Sequence, residues 1–132
     1  MAESRIALVT GATSGIGKAS ALGLLEAGWT VIGCGRRRDR LEELSADTGI
    51  TGIACDVTDP LAVESLFREI RDRFGRIDLV FNNAGRFAPA ANFGELSVET
   101  WREMVDTNLN GAFYVAREAF RLMRDQAPQG GR

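Results

Sequence analysis

Ile6-Ala7-Leu8-Val9-Thr10-Gly11-Ala12-Thr13-Ser14-Gly15-Ile16-Gly17 reads as a buried strand, a glycine turn and the opening of a helix, in that order. Ile6 to Val9 are apolar without alternation, as in a parallel strand covered on both faces. Gly11, Gly15 and Gly17 follow, and helical spacing begins at once with Ile16, Ala19, Leu22, Leu24 and Leu25. Such a junction is an anion site. Free amides at the start of the helix point outward with the positive end of its dipole. Glycine lets the turn bend and lets a pyrophosphate approach backbone where a Cβ would collide. An ordinary tight turn before a helix carries glycine too, so the strand before it and the helix after it give the triplet its meaning.

Outward from this stretch the pattern alternates. Strands are predicted at 5–10, 30–34, 52–55 and 78–82, and helices at 16–27, 40–46, 61–74 and 98–125. Gly28 and Gly75 fall just past helix ends, where a left-handed residue is wanted. Asp59-Pro60 caps and opens the third helix, and Asp39 with Glu42 looks like a capping pair for the second. Repeated strand–helix units with apolar strands imply an α/β fold, a doubly wound parallel sheet of Rossmann type, in a single domain over residues 1–132. The last helix is apolar on two sides (Val98, Trp101, Val105, Leu109, Ala112, Phe113, Ala116, Ala119, Phe120, Met123), so it wants burial on two sides.

Composition narrows the function. Of 132 residues, 45% are hydrophobic and 26% charged, ordinary for a globular chain. A net charge of -2 gives no electrostatic case for nucleic acid or an anionic membrane. No apolar run approaches a membrane span, and Glu3 and Arg5 spoil a signal peptide, so a cytoplasmic protein is expected. There is no histidine and there are only two cysteines, which removes Ser-His and Cys-His catalysis and most zinc sites; no metal is expected. Cys34 and Cys55 read as buried, reduced side chains.

Arg36, Arg37 and Arg38 follow the second strand, where helix stability does not explain them because cations are disfavoured at a helix N-terminus. In dinucleotide folds an acid at the end of this strand holds the ribose 2′-hydroxyl, whereas arginine accommodates a 2′-phosphate. This place holds Gly35-Arg36 and no carboxylate, which favours NADP over NAD; a solvated basic cluster beside Glu42 and Glu43 is the plainer alternative. Asp56-Val57, after the third strand, lies at the sheet edge where ligands bind; Asp56 can accept from an adenine amino group or cap a turn. Asn82-Asn83-Ala84-Gly85 ends the fourth strand at the same edge, in residues that any turn also prefers. Asn108 falls on the apolar stripe running from Trp101 to Ala112. A buried amide there needs backbone bonding, a helix distortion or a water, and Asn110-Gly111 weakens the helix beside it.

Together these residues resemble the short-chain dehydrogenase/reductase family over almost the whole chain. Thr10 to Gly17, with Gly11, Thr13, Ser14, Gly15, Ile16 and Gly17, matches its glycine motif. Asp56 with Val57 matches its adenine-ring aspartate, and Asn83, Ala84 and Gly85 match its strand-four motif, which lines the cofactor site. Asn108, within Asp106-Thr107-Asn108-Leu109-Asn110-Gly111, matches the asparagine of the catalytic tetrad, which holds a water in the proton relay. The resemblance implies hydride transfer between NADP(H) and a carbonyl or alcohol. A catalytically silent nucleotide-binding or partner-binding module is the alternative. Family members are longer, roughly 250 residues in one doubly wound domain. Their catalytic serine and Tyr-x-x-x-Lys pair have no match here: the only tyrosine, Tyr114, has Glu118 four positions on. Tyr114 reads as a packing side chain. Gln129-Gly130-Gly131-Arg132 resembles the turn before the serine-bearing strand, so the chain reads as an N-terminal half, inactive by itself. In the family's strand order the fourth strand is central. Ending here leaves it an apolar edge, and homo-oligomerisation through that strand or the last helix is expected.

Overall fold

The computed structural model describes residues 4–132. Four strands, β1 (Ile6–Thr10), β2 (Thr30–Gly35), β3 (Thr51–Ala54) and β4 (Leu79–Phe81), form one parallel sheet in the order β3-β2-β1-β4. Helices α1 (Gly15–Glu26), α2 (Arg38–Thr48) and α3 (Pro60–Phe74) connect them. After β4 come a single 3-10 turn (Phe93–Glu95) and one long helical rod. That rod is α4 (Val98–Val105), a π-helical turn (Asp106–Gly111) and α5 (Ala112–Asp125). The doubly wound reading is therefore correct, with element ends displaced by one or two residues.

The pleat explains the layering. Ile6 and Leu8 of β1 with Ile32 and Cys34 of β2 point to one face and pack under Val63, Leu66, Phe67 and Ile70 of α3 and Val115 and Ala119 of α5. Val9 and Val31 point to the other, with Ala21, Leu44 and Ile50 beneath α1 and α2. Side chains of 0–7% exposure on both faces make β1 the centre of the molecule.

Local signals behave as their chemistry dictates in most places. Asp59 caps α3 by accepting from the Leu61 amide at 3.0 Å, with Pro60 at the first helical position. Gly28 and Gly75 are left-handed at φ +92° and +80°. The Asp39–Glu42 capping pair does not form. Pairing of Gly35 with Ala54, and the 2.8 Å bond from the Cys55 amide to the Gly35 carbonyl, hold the chain on the sheet through Gly35. Only Arg36 and Arg37 remain to turn it, so α2 starts at Arg38 and Asp39 lies inside its first turn.

The last helix departs further from expectation. The weakness at Asn110-Gly111 appears as a π turn inside the rod, not as a break. Asn108 is exposed, contrary to the buried position that straight helical spacing implies, because the extra residue per turn carries it off the stripe. The β4 edge is partly covered: Arg132 lies beside it, its amide donating to the Asp78 carbonyl at 3.0 Å and its carbonyl accepting from the Val80 amide at 2.8 Å. Tyr114 packs against the α3–α5 core with its ring 6.0 Å from that of Phe113.

Candidate cofactor site

The site lies at the carboxyl ends of β1, β2, β3 and β4, where an open α/β sheet leaves a crevice. Gly11 and Gly15 are left-handed (φ +67° and +56°), which carries the chain from β1 across the sheet edge and into α1. Ser14 precedes α1 in an extended conformation, and its side chain makes no cap bond. The amides of Gly15, Ile16 and Gly17 have no acceptor among the described residues. Thus the first turn of α1 offers free N–H groups to an anion instead of satisfying them internally.

Close packing sets the loop's position. A Cβ on Gly11 would lie 3.1 Å from the Ala84 Cα, and one on Gly17 would strike the Gly11 carbonyl and the Asn83 side-chain amide. Asn83 donates through Nδ2 to the Thr10 carbonyl (3.2 Å) and the Gly11 carbonyl (3.5 Å). Thr10, fully buried, accepts from the Asn83 amide at 2.9 Å and the Ala84 amide at 2.8 Å. The ends of β1 and β4 are therefore sewn together at a single hydroxyl, which sequence reasoning took as the end of a strand and the first residue of the glycine motif, with no partner assigned. A threonine closing an otherwise apolar strand beside a glycine turn is the signal that could have found it.

These constraints shape a cavity of about 450 Å³. It brings together Gly11, Thr13 and Ser14 from the first loop, Arg36 and Arg37 from the second, Asp56 and Val57 from the third, and Ala84 and Gly85 from the fourth. Gly17 lies buried under the loop, Gly15 and Ile16 stand exposed on the first turn of α1, and Asn83 acts from behind. Asn108 does not line the cavity. Its amide brackets the next residue of the wall, accepting from the Arg86 N–H at 2.7 Å and donating to the Arg86 carbonyl at 2.8 Å. Arg40, Arg86 and Thr107 also line the cavity, and no sequence signal singled them out beyond the arginine run four residues before Arg40 and the Asn-Asn-Ala-Gly run directly before Arg86.

Four arginines against one carboxylate, Asp56, make the wall electropositive. Asp56 Oδ1 accepts from the Thr58 amide (3.0 Å) and hydroxyl (2.8 Å) in a turn, and Asp56 also lines the cavity. Cys34 and Cys55 form part of the floor as free thiols. Burial pushes both up, Cys55 to about 11 with Asp56 adding to it, so they are neutral apolar lining and not nucleophiles.

Known proteins match this arrangement. The family described as short chain dehydrogenase matches residues 5–132. The chain is 39% identical to 3beta-hydroxysteroid dehydrogenase of Mediterraneibacter gnavus, covering 98% of this chain and 48% of that protein. It is 45% identical to serine 3-dehydrogenase of Agrobacterium fabrum, over 79% of this chain and 43% of that protein. Among solved structures, a short-chain dehydrogenase from Streptomyces avermitilis superposes with TM-score 0.87 at 34% identity, covering 95% of this chain and 46% of its own. Actinorhodin polyketide ketoreductase, in a structure with NADPH, superposes with TM-score 0.81 at 39% identity, covering 90% and 47%. The chain thus spans about half the length of the curated relatives it matches. No helix among the described residues is long and apolar enough to cross a membrane.

Proposed function

Because the chain belongs to the short-chain dehydrogenase family, we propose that its cavity is the NADP(H) site of an oxidoreductase that moves hydride between this cofactor and a carbonyl or alcohol carbon. The observation that carries the reading is the β2–α2 corner, where Arg36 and Arg37 line the cavity with Arg40 and none of the three is ion-paired among the described residues. An acid there would repel a 2′-phosphate; forked guanidinium groups grip one. The glycine-loop amides suit the diphosphate, and a Cβ at Gly11 or Gly17 would push the loop off its seat against Ala84 and Asn83. Asp56 suits the adenine end, and Ala84 and Gly85, backed by Asn83, suit the ribose side. The cofactor supplies the hydride; the protein binds and orients it.

Replacing Arg36 by alanine is expected to weaken NADPH binding by about tenfold or more, one charge-assisted contact, and NADH binding little. Titration by fluorescence or calorimetry reads both. Equal losses for the two cofactors would remove the phosphate role.

Tyr114 favours a second reading for the 132-residue chain taken alone. It packs against the core beside Phe113, and the residue four positions on is Glu118, not a lysine. No other tyrosine is available to pass a proton, so these residues by themselves bind the dinucleotide without turning it over. Asn108 would contribute to the relay only through its hold on the backbone of Arg86. The free, buried Cys34 and Cys55 support a reducing compartment, the cytoplasm.

The partner is a second copy of the chain. Val98, Trp101, Leu109, Phe113 and Phe120 make a stripe along the rod with each side chain 56–68% exposed. The first half carries Glu99, Glu103 and Asp106 against Arg102, and the second Arg117, Arg121 and Arg124 against Glu118 and Asp125, so two antiparallel copies set a net negative half against a net positive one. The residual β4 edge beyond Arg132 is the other contact available. Sedimentation at micromolar concentration should show a species of at least two chains, and Trp101→Glu should shift it toward one; a monomer at all concentrations removes this partner.

A further inference from the structure

We propose that Arg86 is a ligand of the cofactor's diphosphate bridge, exchanging its present partner Glu103 for a phosphate oxygen. The inference rests on the dinucleotide reading above and adds a residue which that reading does not use.

Position comes first. Ala84 lies against the glycine loop, its Cα 3.1 Å from where a Gly11 Cβ would be. Arg86 is two residues farther along, at most about 7 Å of backbone away. It lines the same cavity as Gly11 and Ser14, on the wall opposite Arg36 and Arg37. On its own wall it is the one cation. The other cations close to the loop, Lys18 and Arg40, share a separate surface depression with Thr13.

Anchoring comes second. Both backbone groups of Arg86 are held by the Asn108 amide, at 2.7 and 2.8 Å. The root of the side chain is therefore fixed while its guanidinium stays free to turn. That head now lies with Nη2 2.9 Å from Glu103 Oε2, both side chains about half exposed (44% and 51%). Exposed pairs of this kind contribute little and give way readily to a better acceptor. Nε and Nη1 of Arg86 make no hydrogen bond among the described residues. A diphosphate presents adjacent anionic oxygens that a guanidinium can take two at a time, which a single exposed carboxylate oxygen at its Nη2 does not match. Glu103 thus acts as a placeholder that competes with the ligand.

Calorimetric titration of the 132-residue chain with NADP+ and with 2′-AMP tests this, since 2′-AMP carries the 2′-phosphate and lacks the diphosphate. Arg86→Met, which keeps most of the apolar stem, should weaken NADP+ by about tenfold and leave 2′-AMP unchanged. Glu103→Gln removes the competitor and should tighten NADP+ by about twofold to threefold. Unchanged NADP+ affinity in Arg86→Met overturns the assignment. So does an equal loss for both ligands, or weakening of NADP+ by Glu103→Gln, because each marks the ion pair as a brace for the loop. If the unaltered chain takes up no NADP+, the dinucleotide reading itself fails and Arg86 with it; NADP+ binding that ignores Arg86→Met removes Arg86 alone.

Discussion

Thr10→Val is expected to destabilise the fold by about 1–3 kcal/mol, the cost of one unsatisfied buried group, since the Ala84 amide loses its acceptor while the Asn83 amide keeps the Phe81 carbonyl at 3.0 Å. The two side chains have nearly the same volume, so packing of the fully buried site hardly changes and the loss is one of hydrogen bonding. The amides of Asn83 and Ala84 converge on the Thr10 hydroxyl at 2.9 and 2.8 Å, and the hydroxyl faces the Phe81 carbonyl at 3.4 Å. Thr10→Ser keeps this arrangement and loses one methyl, worth about 1 kcal/mol. Thermal and urea unfolding should therefore rank wild type, serine and valine in that order, with the valine variant melting roughly 5–10 °C below wild type. A valine variant as stable as the serine one would show that the hydroxyl does not join the strands. The valine variant should also bind cofactor poorly, because the Ala84-Gly85 wall is held in place by that oxygen.

The same hydroxyl illustrates what the sequence can and cannot disclose. Strand, glycine turn and helix are local events, written in consecutive residues, and the sheet order follows once four such units are recognised. Arg36, Arg37, Asp56 and Gly85 were legible as residues of one edge because each lies within four residues of a strand's carboxyl end, and the ends of parallel strands share that edge. Partnerships between units were not legible. Thr10 meets Asn83 across 73 residues, and Asn108 meets Arg86 across 22. Nothing near Asn108 indicates that its amide will bracket a loop, and straight helical spacing places it on the wrong side. The π turn adds one residue to a helical turn, and 3.6-residue counting carries no provision for it. The start of α2 was misplaced for a related reason. Asp39 is the better capping residue by chemistry, yet strand pairing through Gly35 leaves no room for the helix to wait for it.

Gly17 gives the sharpest contrast, because one substitution at two positions of α1 should have opposite signs. At Gly23, exposed and with nothing within 4 Å of an added Cβ, alanine should stabilise the protein by about 1 kcal/mol, the helix preference of alanine over glycine. At Gly17 that preference is also present, but the added carbon lands on the Gly11 carbonyl and the Asn83 side-chain amide. Neither can yield cheaply. The carbonyl belongs to a left-handed residue pressed against Ala84, and the amide is tied to Thr10. Overpacking of a buried site costs about 1–3 kcal/mol, and more where backbone must move, so Gly17→Ala should lose about 3 kcal/mol net. Its melting temperature should fall by roughly 10 °C while that of Gly23→Ala rises by a few degrees. Affinity should follow the same division. A shift of the Gly11 carbonyl turns the loop's amides away from the diphosphate, so NADP+ binding by Gly17→Ala should drop at least about tenfold, the scale of one lost charge-assisted contact, and Gly23→Ala should bind as wild type does. If Gly17→Ala proved as stable as Gly23→Ala and bound the dinucleotide equally well, the helix would not be seated on the turn in this way, and the turn would not be the cradle.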